Sequence, residues 1–108
     1  MKVYRKQSEA SNTKFLTWEQ AVKWLRQQSS YRELVTSAYY DDPLLNAAER
    51  YRNSKEWEAI RSLLPDIKQT ALDVGAGRGI ASYALAHEGF QVSALEPDAS
   101  ELVGASAI

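Results

Sequence analysis

Asp73, Gly75, Gly77 and Gly79 stand at alternate positions, and an acid, Glu96, follows them after a helix-length gap. A carboxylate beside a run of glycines suits a nucleoside ligand. Without a Cβ, the backbone can take dihedrals that other residues disfavour, and a ligand can lie directly against it. The first amides of a following helix have no partner within that helix, so they can donate to the ligand's oxygens. An acid such as Glu96 can accept hydrogen bonds from both hydroxyls of a ribose. These residues predict a nucleoside pocket between two strand ends.

The elements that must position them are written around the motif. Ala71-Leu72-Asp73-Val74 is a short apolar run bounded by glycine and reads as a buried strand. A helical segment then runs to about Glu88 and stops at Gly89, since helix ends often need a left-handed residue. Gln91 to Leu95 reads as a second strand, closed by Glu96-Pro97. Strand, glycine turn, helix and strand make one βαβ unit, whose crossover is almost always right-handed. Glu96 then falls at the carboxyl end of a strand, where open α/β sheets bind their ligands.

Spacing narrows the class of nucleoside. A dinucleotide fingerprint, G-x-G-x-x-G, needs glycine at position 80, where this chain has Ile80. A triphosphatase loop fails more clearly, because no Gly-Lys-Ser/Thr follows. The pattern Asp73-x-Gly75-x-Gly77-x-Gly79, with Glu96 downstream, resembles the first motif of class I S-adenosylmethionine-dependent methyltransferases. The resemblance covers about Thr70 to Ile108 and implies S-adenosyl-L-methionine as cofactor. It implies that Gly75, Ala76 and Gly77 line the methionine part, within the motif that Gly79 completes. Asp73 would hold the amino group directly or through water, Glu96 would take the ribose hydroxyls, and Pro97 and Asp98 would border the adenine. Acids suit a ligand carrying a sulfonium cation, unlike a phosphate site. The plainer alternative is that Asp73 caps local backbone and Glu96 is a solvated strand end.

Composition sets the outer bounds. The chain has 108 residues, long enough to bury a real core, with 44% apolar and 25% charged residues and a net charge of −1. That balance argues against nucleic acid as a default partner. With no cysteine, disulfides and thiolate metal sites are excluded. Neither a signal peptide nor an apolar run of membrane-spanning length is present, so a cytoplasmic protein is expected. Of the 13 basic residues 12 lie before Gln69, whereas 5 of the 14 acidic ones follow it. The scattered basic excess reads as solvated helix faces.

Residues 1–68 read as a helical region and 69–108 as the first βαβ unit. Met1 to Asn12 is polar and expected to fray. Thr17-Trp18-Glu19-Gln20 is a capping box for a helix to about Gln28, with Trp18, Ala21, Val22 and Leu25 on one face. Ser30-Tyr31-Arg32-Glu33 repeats the device for a helix buried through Tyr31, Leu34, Val35, Ala38 and Tyr39. Asp42 as cap and Pro43 at the first helical position would start a third, with Leu44, Ala47, Ala48 and Tyr51 inward. Ser54 caps a fourth, packed through Trp57, Ile60, Leu63 and Leu64, and a last helix is expected over Asp98 to Ala105. In the family, helices before the first strand often cover the cofactor, a role open to Tyr39, Tyr40, Arg52 and Trp57, although aromatic stripes usually serve the core. His87, near a helix end, reads as a dipole partner. Asp41-Asp42 lacks further ligands for a metal.

The fold expected is α/β: N-terminal helices followed by the first βαβ unit of a Rossmann-like methyltransferase sheet. Only two of that sheet's strands are read here, and two parallel strands alone are marginal. The expectation is an N-terminal fragment, without the acceptor site, that would pair with a second copy if ordered alone. No general base or methyl acceptor is readable. A nicotinamide-dependent oxidoreductase half-site and a non-catalytic helical dimerisation module are the alternatives.

Overall fold

The computed structural model describes residues 2–4 and 15–108, with Tyr4 described by its backbone only. Strands β1 (Lys2–Tyr4), β2 (Thr70–Val74) and β3 (Gln91–Leu95) form one parallel sheet in the order β1-β3-β2. Helices α1 (Trp18–Gln27), α2 (Arg32–Ser37), α3 (Leu44–Arg52), α4 (Lys55–Arg61) and α5 (Ile80–His87) are the other main elements. The mixture of helix with a small parallel sheet agrees with the α/β expectation. None of the described helices is long and apolar enough to cross a membrane.

The βαβ unit forms within a residue of its expected bounds. In register, Asp73 pairs with Ala94 and Val74 with Leu95. One sheet face carries Asp73, Val92 and Ala94 and lies under α5, where Ser82 Oγ donates to Asp73 Oδ2 at 2.7 Å. The opposite face is open: Leu72 is 62% and Val74 69% exposed. The expected buried strand is therefore an edge strand covered on one side. The frayed N-terminus also needs correction, because Lys2–Tyr4 pairs with β3; Met1 and residues 5–12 lie outside the described residues. A three-residue strand whose partner lies far along the chain leaves no local periodicity to read.

The helical region packs through a cluster of Tyr51, Trp57 and Ala84, flanked by Tyr39, Ile60, Leu64, Ile80, Ala81 and Leu85. Thr17 and Gln20 form the expected capping box on α1, and Ser54 Oγ accepts from Trp57 N at 3.0 Å on α4. Other helix ends differ. A 3₁₀ turn over Ser29–Tyr31 precedes α2, which has no side-chain cap. The N-cap of α3 is Pro43, after a cis Asp42–Pro43 peptide, and the Asp42 carboxylate is engaged by arginines instead. Leu63 falls in the turn after α4 and is 86% exposed, so it leaves the buried stripe.

No helix forms over Asp98 to Ala105. Asp98 Oδ1 accepts from Ser100 N at 2.9 Å, a local bond that competes with helix, and Ala105 N closes back on Asp98 O at 2.7 Å. A Cβ on Gly104 would stand 2.2 Å from Asp98 O, so this closure needs glycine. A 3₁₀ turn, Ala105–Ala107, follows. Leu102 N donates to Glu19 Oε2 at 3.1 Å, tying the segment to α1.

Candidate functional site

Between β2 and α5 the chain turns through Gly75, Gly77 and Gly79 at φ of +72°, +56° and +84°. These are left-handed values that L side chains rarely adopt, which accounts for glycine at all three positions. The turn is held from within. Gly75 N and Ala76 N both donate to Leu95 O, at 2.8 and 3.2 Å, and Gly77 N donates to Glu96 Oε1 at 2.7 Å. Glu96 is 8% exposed, and its Oε2 accepts from Asp98 N at 2.8 Å.

Beside the turn lies a cleft of about 260 Å³ lined by Tyr39, Tyr40, Tyr51, Asp73, Gly75, Ala76, Gly77, Arg78 and Ile80 among others. Of the residues expected at the site, Asp73, Gly75, Ala76 and Gly77 thus share one cavity. Gly79 faces the other way, where a Cβ would meet Ile108 at 2.9 Å. Glu96 anchors the turn from behind without lining this cleft, Pro97 is exposed, and Asp98 is turned into its own loop. Tyr39 and Tyr40 join the cleft as walls. Arg52 instead pairs with Glu49 at 3.1 Å, and Trp57 belongs to the core. His87 packs against Tyr83 with the rings tilted by 50° and their centroids 4.5 Å apart. Among the described residues no group of acids and histidines could hold a metal.

Burial pushes the Tyr51 hydroxyl above its ordinary pKa, with nearby Glu56, Tyr39 and Asp73 adding to the shift. Tyr51 is therefore a neutral phenol at physiological pH, a polar but uncharged wall opposite Asp73.

The residue that sequence reasoning missed is Arg78. It sits inside the glycine turn with its side chain 3% exposed. Nη1 donates to Tyr39 O at 2.8 Å and to Asp41 O at 2.9 Å, while Nη2 meets Asp42 Oδ1 at 2.7 Å. One signal was available: it is the lone basic residue after Lys68, in an otherwise acidic third of the chain. Arg26 binds the other oxygen of Asp42 at 2.7 Å, and Arg50 grips Asp41 with two nitrogens at 2.7 and 3.1 Å.

These arginines set a pH dependence. Partial burial alone would raise Asp42, but hydrogen bonds and charge from Arg26 and then Arg78 outweigh it and hold the carboxyl below its ordinary 3.8. Asp41 is lowered too, chiefly by the Arg50 hydrogen bond, against burial. A depressed folded pKa gives stability that is complete above the ordinary value and lost as pH falls through the folded one. The turn should therefore loosen below about pH 4 and hold through neutrality. Urea midpoints measured against pH should show a steep acid limb, shallower in Asp42→Asn. Coincident limbs would contradict the assignment.

Comparisons with protein-family models, curated proteins and solved structures give no match to this chain.

Proposed function

We propose that the chain is the N-terminal, cofactor-binding part of an S-adenosylmethionine-dependent methyltransferase, with β2, α5 and β3 as the first βαβ unit of a Rossmann-like sheet. One observation carries this reading: Asp73 and the Gly75–Gly77 backbone face a common cleft, and a second acid, Glu96, is fixed to the same turn. The Asp73 carboxylate would accept from the amino group of the methionine part. Bare backbone at Gly75 and Gly77 would let the ligand lie close. Glu96 lies behind the turn, so its share in this reading is to brace the floor of the cleft, each carboxylate oxygen accepting from one backbone amide, Gly77 N and Asp98 N.

The cofactor, when bound, supplies the methyl group as an activated sulfonium. The protein's share is to orient that group and exclude water around it. The rings of Tyr39, Tyr40 and Tyr51 supply uncharged aromatic walls for this.

Charge weighs against a dinucleotide. A pyrophosphate needs free amides or cations, yet the amides of Gly75, Ala76 and Gly77 are all spent within the protein. Both Nη atoms of Arg78, the one cation in the turn, are engaged within the protein as well. A pyrophosphate would meet the carboxylate of Asp73 instead, whereas a sulfonium with an ammonium gains from it. Titration with S-adenosylhomocysteine, followed at the glycine amides with a nicotinamide dinucleotide as control, tests the proposal.

A further inference from the structure

We propose that Arg78 is a positioning residue whose guanidinium fixes the Tyr39–Asp42 turn as one wall of the cleft. This rests on reading the cleft as the cofactor site. The turn needs such a hold. Tyr40 N donates to Val35 O and Tyr39 N to Thr36 O, at 3.0 and 3.1 Å, which is the pattern of a Schellman helix end. That motif puts the residue just past the helix cap in the left-handed region, where glycine is usual, and here Tyr39 occupies it at φ +61°. A bulky residue there is strained and persists only where its surroundings over-determine it.

The surroundings do so. Arg78 takes the carbonyls of Tyr39 and Asp41, Arg50 lies 5.2 Å over the Tyr39 ring, and Tyr51 meets that ring edge-on with centroids 5.2 Å apart. Tyr39 is thereby turned toward the glycine turn rather than left free at a helix end. Arg78 also carries a cost that a purely structural latch would avoid: its buried Nε has no acceptor among the described residues. Because Arg78 belongs to the glycine turn itself, its side chain ties the wall of the cleft directly to the floor, while Arg26 Nε holds the same wall from α1 through Tyr40 O at 2.6 Å.

Amide hydrogen exchange, read beside calorimetry with S-adenosylmethionine, tests this. In Arg78→Met, exchange at Tyr39 and Tyr40 should rise about tenfold or more relative to the β3 amides, since charge-assisted hydrogen bonds are lost. Arg78→Lys keeps the charge but not the fork and should fall between wild type and Arg78→Met. Cofactor affinity should drop in the same order. Unchanged exchange at Tyr39 and Tyr40, or an equal rise at every amide, overturns the proposal. Should Arg78→Met not fold, Asp42→Ala replaces a side chain that is 58% exposed. It should raise exchange at the same two amides about threefold or more, and no rise overturns the proposal. A wild-type chain that binds no S-adenosylmethionine sinks the cofactor reading alone, because the exchange ratios still decide the role of Arg78.

Discussion

Trp57→Ala should lower the unfolding free energy by about 3–5 kcal/mol, the cost of emptying a large aromatic from a core. Trp57 is 1% exposed and packs between Tyr51, 5.6 Å away ring to ring, and the α5 layer that carries Ala84. Its Nε1 also donates to Glu88 Oε1 at 3.3 Å, linking α4 to the end of α5. A domain of this size holds only about 5–15 kcal/mol in total, so the variant should be partly unfolded near body temperature. Trp18 and Trp24 are about half exposed, so most of the shift in tryptophan emission on unfolding should come from Trp57. The variant is therefore best followed by circular dichroism in urea. A loss under about 1 kcal/mol would mean that this cluster is not the core.

Asp73→Asn should weaken S-adenosylmethionine binding about 10- to 100-fold, which corresponds to one charge-assisted hydrogen bond lost in a partly enclosed site. The substitution keeps an oxygen able to accept from Ser82 Oγ, so the packing of α5 on β2 should hold and the urea midpoint should move little. Ser82→Ala is the companion, since Ser82 is fully buried and touches Asp73 from the side away from the cleft. It should cost stability more than affinity. Calorimetry that finds equal affinity for Asp73→Asn and wild type would remove Asp73 from the site and leave it a partner of Ser82 alone.

Much of this was legible because the relevant signals are local. Glycine between Val74 and Ile80, and again at Gly89, punctuates the βαβ unit whatever the rest of the chain does. Thr17 with Gln20, and Ser54 before Trp57, work within one helical turn, so they too could be read directly. What escaped depends on distant partners. The Asp42 carboxylate has the spacing of a helix cap, yet two arginines, 16 and 36 positions away, outbid the nearby amides for it. Charge-assisted bonds are about twice as strong as neutral ones, which explains the outcome once both arginines are in place. Likewise Lys2–Tyr4 becomes a strand only because β3 offers it an edge. The segment after Pro97 looked helical by residue type, but Asp98 and Gly104 close it on itself.

The site was legible to the same degree. Asp73, Gly75 and Gly77 announce themselves by alternation, Ala76 follows by resemblance, and all four line one cleft. Glu96 is readable as an acid at a strand end, Pro97 and Asp98 follow by resemblance alone, and of the three only Glu96 binds the turn, through Gly77 N. Arg78 stood in the middle of the motif, but its role depends on a turn some 36 to 39 residues earlier.

The central claim is that an adenosyl ligand lies against the turn from Gly75 to Gly77. The chain contains five glycines, whose amides form a small and separable group in a nitrogen–proton correlation spectrum. Gly89, at the far end of α5, serves as an internal reference. On titration with S-adenosylhomocysteine, the amides of Gly75 and Gly77 should move in a saturable manner while that of Gly89 stays in place. The nicotinamide dinucleotide should move none of them. Stationary Gly75 and Gly77 amides at saturating ligand, or equal movement under the dinucleotide, would contradict the account.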